Sequence, residues 1–252
     1  MSVSERVTPH EIHDAFSRHT FGGSAGIVLT CEHASERVPE GFAKETGFTW
    51  PEADRWLLGT HWAYDLGAEA IAIEHARAVS ARLVCARFSR LLVDPNRPPS
   101  SDTLFRDVAE GRPITMNRGL SSRERDARIG LLYEPFHDAV DRTVSESRRA
   151  EIVFAVHTFT DVYEGQRRSL EIGILFDREE ELGARVLAGL ARAGFHVAAN
   201  EPWSGKAGLI HVAGHHGDRH GKRALELEVR QDLAESPAFR ARLVPVLAEL
   251  LH

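Results

Sequence analysis

Short runs of apolar, mostly β-branched residues recur along the chain, and each of them ends at an ionisable residue. Residues 26–31 read Gly-Ile-Val-Leu-Thr-Cys and are followed by Glu32 and His33, while residues 152–156 read Ile-Val-Phe-Ala-Val and are followed by His157. Apolar runs of this length, without alternating polar residues, are typical of strands that are buried on both faces. The chain is therefore predicted to fold around a sheet that helices cover.

Helical periodicity separates the predicted strands. The predicted helices cover 51–78, 122–149 with a kink near Pro135, 179–193 and 237–251. Further strands cover 82–86 and 90–94, which are two strands or one bent strand, and 170–176, 195–199 and 225–229. Long loops cover 95–120 and 200–222. Strands that alternate with helices predict an α/β fold, here a single domain over residues 1–252 with a largely parallel sheet and helices on both faces.

Composition excludes several classes of protein. With 252 residues, 42% hydrophobic and 27% charged, the chain has the make-up of a globular domain. A net charge of −6 argues against binding to nucleic acid, and the lack of an 18-residue apolar run argues against a membrane span. Two cysteines and no apolar leader segment lead us to expect a cytoplasmic protein. Fourteen histidines point to metal or acid–base chemistry.

Ionisable side chains at neighbouring strand ends are candidates for a metal site. His33 and His157 each follow a buried strand, so they could bind one divalent ion together with a carboxylate or a third histidine. The alternative is that each ring only caps its strand. His61 and Asp65 have the i, i+4 spacing of residues on one face of the first predicted helix. They could complete this metal site, or they could form a solvated pair on the helix surface. Glu36 has the H-x-x-E spacing but fits a solvated loop residue better.

The densest polar segment runs from Ser89 to Pro98. Arg90 and Arg97 offer planar guanidinium groups that bind carboxylates bidentately, and Asn96 adds a directional donor. Asp94 could orient either arginine. The alternative interpretation is a turn held by an Asp–Arg ion pair.

Two glutamates interrupt the last apolar strand. Glu226 and Glu228 alternate with leucine and valine, so both point to one face of that strand, and Glu228 comes close to its end. A general base would be needed there, while a buried pair with an arginine is the alternative. The glycine-rich stretch 205–221 lacks the pattern of a phosphate-binding loop.

Six separated motifs together resemble the N-formylglutamate amidohydrolase family, in the order of that family and across about residues 25–235. They are Cys31-Glu-His-Ala-Ser35 with Val38-Pro39, His61-x-x-x-Asp65-x-Gly67-Ala68, Ser89-Arg-Leu-Leu-Val-Asp-x-Asn96-Arg97, His157-Thr-Phe-Thr160, Asn200-x-Pro-x-Ser-Gly205 with His216, and Glu228-Val-Arg-Gln-Asp-Leu233. The resemblance implies a mixed central sheet similar to that of zinc carboxypeptidases.

The resemblance also implies a site. A divalent metal, with Zn²⁺ the leading candidate, would be held by His33, His157 and either His61 or Asp65. Glu228 would be the general base, with Glu32 as a second catalytic candidate. The implied substrate-binding residues are Ser89, Arg90, Asn96, Arg97, Thr158, His216 and Arg230.

The implied activity is metal-dependent hydrolysis of an N-acyl amino acid that carries a free carboxylate. N-formyl-L-glutamate, cleaved to formate and L-glutamate in histidine degradation, is the leading substrate. A metallocarboxypeptidase or amidase with another substrate is one alternative, and a module that binds a carboxylate ligand without turnover is another. We expect neither a nucleic acid nor a membrane as partner, and the sequence does not predict an oligomeric state.

Overall fold

A mixed β-sheet forms the centre of the structure. The computed structural model describes residues 11–163 and 165–251. The strands of the sheet are β1 (Glu11–Ile12), β2 (Phe16–Thr20), β3 (Ile27–Cys31), β4 (Arg82–Ala86), β7 (Ile152–Phe159), β10 (Ile172–Leu175), β11 (Val197–Ala199) and β12 (Arg223–Arg230). Two small hairpins lie outside it, β5 (Val108–Ala109) with β6 (Arg112–Pro113) and β8 (Val162–Tyr163) with β9 (Gln166–Arg167).

The strands lie in the spatial order β1-β2-β4-β3-β7-β12-β10-β11. Four neighbouring pairs are parallel, namely β4 with β3, β3 with β7, β7 with β12, and β10 with β11. Three pairs are antiparallel: β1 with β2, β2 with β4, and β12 with β10. The sheet is mixed and mostly parallel, which confirms the predicted fold class.

Helices cover both faces of the sheet. They are α1 (Glu40–Thr46), α2 (Ala68–Ala78), α3 (Ser122–Arg128), α4 (Glu134–Glu146), α5 (Glu180–Arg192), α6 (His211–Arg219), α7 (Gln231–Ala234) and α8 (Pro237–Leu250). Helices α4 and α6 bury Phe136 and Val212 on one face, while α2, α5 and α8 bury Ile71, Val186 and Leu243 on the other. Within the described ranges, no helix combines the length and the apolar character that crossing a membrane requires.

Strand alternation decides which face carries the ionisable residues. Strands β3 and β7 are buried at every position. Ala155 of β7 and Ala224 of β12 belong to the core beneath α4 and α6. Because every second residue of a strand shares a face, His157 lies on the side of Ala155, and Glu226 and Glu228 lie on the side of Ala224. The ionisable groups of both strands therefore meet on the α4 and α6 side, towards the carboxyl ends.

The predicted helix over 51–78 is wrong for most of its length. Residues 52–57 form a 3₁₀ helix, residues 58–67 form turns, and the α-helix begins only at Ala68. Gly67 has φ +80°, and a Cβ there would lie 2.7 Å from the backbone carbon of Ala234. Only glycine fits this combination of left-handed backbone and close approach, so the helix cannot continue through this position.

This turn removes the argument that paired His61 with Asp65. The two residues are not neighbours on a helix face, because both precede α2 and lie within the turns of residues 58–67. Their i, i+4 spacing therefore carries no structural meaning.

Other departures concern loops. The segment 90–94, predicted as a strand, is a turn in which the N–H of Leu92 donates to the carbonyl of Ser89. The predicted loop over 200–222 contains α6, and β1, β2 and α1 were not predicted. The predicted helix over 122–149 consists of α3, a π-helical turn at Ile129–Tyr133, and α4, with Pro135 in the first turn of α4.

One buried histidine makes the stability of the fold depend on pH. His75 of α2 is fully buried against the ring of Phe154, and neither ring nitrogen has a hydrogen-bond partner among residues 11–163 and 165–251. Burial lowers the pKa of His75 to about 4. An unfolded histidine titrates near pH 6.5, so the folded chain must exclude a proton that the unfolded chain binds below that pH.

We expect the free energy of unfolding to fall by about 1.4 kcal/mol per pH unit between about 6.5 and 4 because of His75. The variant His75→Leu should lack this pH-dependent loss of stability, and at pH 5 its free energy of unfolding should exceed that of the wild type. Urea unfolding at pH 7.5, 5.5 and 4.5 measures it, with the exposed His196→Leu as control. Equal pH dependence of wild type and His75→Leu would contradict the prediction.

Candidate active site

The carboxyl edge of the sheet carries a cluster of buried ionisable residues. Glu32 and His33 directly follow β3, His157 lies near the end of β7, and Glu226 and Glu228 lie on β12, all of them at most 4% exposed. In parallel strands these ends meet at one edge of the sheet. Since β3, β7 and β12 are direct neighbours, their ends bring the five side chains together.

Asp65 reaches this cluster from the turn before α2. Its N–H donates to the carbonyl of His33 at 2.9 Å, which ties the turn to the end of β3. Its Oδ2 lies 2.9 Å from Nδ1 of His157 and 3.4 Å from Nδ1 of His33, and it accepts the N–H of Thr158 at 3.2 Å. One ligand atom from each of His33, Asp65 and His157 lies within 4.8 Å of the other two.

Each of these two histidines faces a further buried carboxylate with its other ring nitrogen. Nε2 of His33 lies 2.8 Å from Oδ1 of Asp94, and Nε2 of His157 lies 2.8 Å from Oε2 of Glu32. A carboxylate next to Nε2 favours the tautomer that carries its proton there, which leaves the Nδ1 lone pair available. The two imidazoles therefore present the same atom, Nδ1, towards Asp65.

Negative charge exceeds positive charge in this cluster. Five carboxylates are buried together, those of Glu32, Asp65, Asp94, Glu226 and Glu228. The guanidinium of Arg90 contacts two of them, at 2.7 Å to Asp94 and 3.5 Å to Asp65. Even with both histidines protonated, the carboxylates outnumber the positive groups named here, so the cluster favours binding of a cation.

The crowding shifts the pKa values in opposite directions. Burial alone would raise the pKa of Asp65, but His33 and His157 outweigh it and hold that pKa below its usual range. Burial raises the pKa of Glu226 to about 7, against the opposing influence of His157. Burial also raises the pKa of Glu228 well above its usual range, with a further contribution from Glu226.

Glu228 combines deep burial with an unsatisfied oxygen. It lies opposite His157 in the β12–β7 pairing, and its Oε2 has no hydrogen-bond partner within the described chain. The neighbouring Glu226 differs, because its Oε2 accepts from Nδ2 of Asn96 at 3.3 Å. Glu228 thus has a free carboxylate oxygen, which a proton acceptor needs; the two oxygens of Glu32 also lack a hydrogen-bond partner among the described residues.

Asn96 joins the cluster to α6. Its Oδ1 accepts the N–H of Val212 at 3.0 Å, which directs Nδ2 towards Glu226 and towards Nε2 of His157 at 3.4 Å. Arg97 beside it is half-buried, and it donates through Nε to Thr103 and through Nη1 to the carbonyl of Asn96. Its Nη2 has no hydrogen bond to any residue of 11–163 or 165–251.

Three of the expected substrate-binding residues have protein partners. Oγ of Ser89 donates to the carbonyl of Ala63, and Oγ1 of Thr158 donates to the carbonyl of Leu66. Arg230 forms an ion pair with Asp232 at 2.7 Å and donates to three backbone carbonyls, those of residues 168, 169 and 170. These side chains hold the turn before α2 and the end of β12 in place.

His216 lies behind the site rather than facing it. Its Nε2 is 3.0 Å from Nδ1 of His137, whose Nε2 donates to the carbonyl of Pro95. Its Nδ1 lies 3.7 Å from Asp141 and has no hydrogen-bond partner in the described part of the chain. His216 therefore supports, through His137, the turn that carries Asn96.

Two further metal candidates lie outside the cluster. His61 is half-buried with its ring 4.8 Å from that of Trp62, and it is not among the clustered ligand atoms. Glu36 is half-buried, and its Oε2 accepts the N–H of Gly59 at 2.5 Å. Of the alternatives left open by the sequence, Asp65 is the one that lies beside both histidines.

Sequence reasoning did not anticipate several contacts of the cluster. Asp94 was expected to orient an arginine, and it does contact Arg90, but it also contacts His33. His137 and Arg106 were not singled out at all. His137 lies on α4, far from the motif it supports, so spacing along the chain gives no signal for it.

One family model matches most of the chain, and solved structures share its fold. The family model described as N-formylglutamate amidohydrolase matches residues 25–234. The crystal structure of gene product Atu2144 from Agrobacterium tumefaciens is 34% identical, with a TM-score of 0.83, and the match covers 95% of this chain and 94% of that one. The N-formylglutamate amidohydrolase from Ralstonia eutropha JMP134 is 19% identical, with a TM-score of 0.69 and coverage of 95% and 96%, which supports the fold. No curated protein matches the sequence.

The buried ion pairs of Arg90 predict a large effect on stability. We expect Arg90→Met to lower the free energy of unfolding of the metal-free protein by about 3–5 kcal/mol, because Asp65 and Asp94 lose their buried cation. Arg55→Met is the matched control, since Arg55 pairs with Glu52 on the surface, where such a pair contributes about 0–1 kcal/mol. Urea unfolding measures both variants, and equal losses would contradict the prediction.

Proposed function

The chain belongs to the N-formylglutamate amidohydrolase family, which makes it a hydrolase of amide bonds, and we propose that it uses a divalent metal to cleave N-acyl amino acids. The leading substrate is N-formyl-L-glutamate, which would yield formate and L-glutamate. The description of the matching family supports this substrate, and the buried cluster at the carboxyl edge of the sheet supports the metal.

One observation carries the metal proposal. His33 and His157 present the same ring atom to one oxygen of Asp65, while their opposite nitrogens face Asp94 and Glu32. Two imidazole nitrogens and one carboxylate oxygen are a common protein ligand set of catalytic zinc sites, and carboxylates behind the histidines are typical of such sites. The excess of buried negative charge fits the same ion.

The residues around the cluster then have different roles in the reaction. A bound Zn²⁺ would supply polarisation of the amide carbonyl and a lowered pKa of water. Glu228, with its free Oε2, accepts the proton of the attacking water and delivers it to the departing amine. Oε2 of Glu32 lies 2.8 Å from Nε2 of His157, so for Glu32 we propose a role in positioning that ring rather than the catalytic role implied by the resemblance.

The positive side chains beside the cluster bind the substrate. Arg97 offers its free Nη2 edge to the α-carboxylate, while its other donors hold the guanidinium in place through Thr103 and Asn96. Arg90 is engaged by Asp65 and Asp94, so its role is to fix those carboxylates. A substrate held by its carboxylate places its amide in a defined orientation, which contributes directly to rate.

Formate release tests the activity, and turnover separates the enzyme from a binding module. The purified protein, loaded with Zn²⁺, is incubated with N-formyl-L-glutamate, and formate is measured with a coupled dehydrogenase. Release of formate supports the proposal. Absence of turnover on N-formyl, N-acetyl and N-succinyl amino acids, together with tight binding of L-glutamate, would favour the module that binds a carboxylate ligand.

The ligand set predicts which variants lose the metal. Calorimetric titration of the chelator-treated protein should show one Zn²⁺ per chain, with binding abolished or strongly weakened in His33→Ala, Asp65→Ala and His157→Ala. Glu32→Gln should weaken binding by about 10- to 100-fold, since it removes the carboxylate behind His157. His61→Ala is the matched control and should bind like the wild type. If His61→Ala weakened binding as much as His157→Ala, the proposed ligand set would be wrong.

The role of Glu228 predicts a defect in chemistry without a defect in metal binding. Glu228→Gln keeps the size of the side chain but cannot accept the proton, so kcat should fall by about 10²- to 10⁴-fold. Glu226→Gln, two residues earlier on the same face, should have the smaller effect because Asn96 already engages Glu226. Turnover, bound metal and melting temperature are measured on the same preparation. A folded, metal-loaded Glu228→Gln variant with near-normal turnover would remove Glu228 as the base.

A further inference from the structure

Arg106 is a half-buried cation without an acidic partner beside the proposed active site. Its guanidinium carbon lies over the ring of Trp62, 5.6 Å from the ring centroid. Among residues 11–163 and 165–251, no carboxylate lies within 4.0 Å of it and no acceptor receives a hydrogen bond from its side chain. The half-buried Arg90 and Arg240 are paired with carboxylates, and the half-buried Arg97 and Arg168 donate to hydroxyl or carbonyl oxygens.

The loop around Arg106 is tied to the segment that carries Arg97. The carbonyl of Leu104 accepts the N–H of Asp94, and Oγ1 of Thr103 accepts from Nε of Arg97. The carbonyl of Arg106 itself accepts from Nδ2 of the buried Asn117 at 2.6 Å. Its backbone is therefore held in place, and the side chain extends from a fixed point next to the proposed carboxylate-binding residue.

The electrostatic surroundings of Arg106 favour an anion. Burial lowers its pKa, and the neighbouring guanidinium groups of Arg90 and Arg97 lower it further. Asp94 and Asp107 oppose this shift, but neither forms an ion pair with Arg106, and the oxygens of Asp94 are already engaged by Arg90 and His33. A desolvated cation among like charges gains most from a ligand that brings its own negative charge.

We infer that Arg106 is a specificity-determining residue, which binds the side-chain carboxylate of the substrate while Arg97 binds its α-carboxylate. This inference rests on the proposed function and assigns the substrate class, N-acyl amino acids with an acidic side chain. The guanidinium carbon lies over Trp62 and no N–H group of the side chain donates to a described residue, so these groups are free to form the two parallel hydrogen bonds that a carboxylate accepts. A lysine would lack this fork.

Arg168 is the alternative candidate for binding the side-chain carboxylate of the substrate. It is half-buried, lies over the rings of Phe159, Tyr163 and Trp203, and donates to the carbonyl of Thr160. It lies close enough to Glu228 for that carboxylate to influence its pKa. Arg168 thus uses one N–H group on the protein itself, whereas no N–H group of the Arg106 side chain donates to a described residue, which makes Arg106 the better site for a second carboxylate.

Paired substrates test the assignment. Hydrolysis of N-formyl-L-glutamate is compared with that of N-formyl-L-glutamine, which has the same shape but no side-chain charge. Arg106→Gln should lower kcat/KM for the glutamate substrate by about 30- to 1,000-fold, the range expected for loss of a desolvated charge pair. It should change kcat/KM for the glutamine substrate by less than about 3-fold. Arg106→Lys should recover only part of the loss.

Arg112→Gln is the matched control, because Arg112 also lies over a tryptophan ring, that of Trp56, but is exposed on the β5–β6 hairpin. It should leave both substrates unaffected. If Arg106→Gln slowed both substrates equally, or if Arg168→Gln alone removed the preference for glutamate, the assignment to Arg106 would be overturned.

A binding measurement tests the role of Arg106 independently of turnover. Calorimetry with L-glutamate and L-glutamine should show that the wild type prefers L-glutamate and that Arg106→Gln loses this preference. A wild type that cleaves no N-formyl amino acid yet shows this pattern would refute the proposed function and retain the role of Arg106. A wild type that cleaves N-formyl-L-glutamate without preferring it would refute the role of Arg106 alone.

Discussion

The site depends on one buried oxygen, Oδ2 of Asp65. It lies close to Nδ1 of two histidines and accepts the N–H of Thr158. A carboxylate can be taken from water only when such partners replace its hydration. The turn that carries Asp65 is itself tied to β3, because its N–H donates to the carbonyl of His33. The strands β3 and β7 and the turn before α2 are therefore joined at a single atom, and the positions of His33 and His157 follow from it.

The apolar sheet makes this arrangement rigid. Strands β3 and β7 are buried at every position, and the ionisable residues of the site come at their carboxyl ends. Alternation along β7 and β12 directs His157, Glu226 and Glu228 to the side covered by α4 and α6. Helix α6 returns to the same edge, where the N–H of Val212 fixes the amide of Asn96. Each polar group is thus held by the framework of the fold and does not depend on a mobile loop.

The sequence predicts the strands well because burial on both faces leaves an unmistakable apolar run. It predicts the turns poorly, because their conformation depends on contacts distant in sequence, such as the approach of Gly67 to Ala234. Asp65 illustrates the difference: its i, i+4 spacing from His61 suggested a helix face, yet a turn brings it to the site and leaves His61 outside. His137 and Arg106 carry no local pattern at all, since their positions are defined by Pro95 and Trp62 across the fold.

The acidic side chains and the arginines of the site belong to different segments of the chain, in a way that matches the proposed substrate. The carboxylates of Glu32, Glu226 and Glu228 lie on the β3 and β12 side, where a cation would compensate them. Arg97 and Arg106 lie on the segment that follows β4, and Arg90 stands between the two groups through its contacts with Asp65 and Asp94. The proposed substrate, an N-acyl amino acid with an acidic side chain, carries two carboxylates and one neutral amide. With both carboxylates bound by the arginines as proposed, its amide would be directed towards the acidic cluster, so the charge distribution of the site would favour the productive orientation.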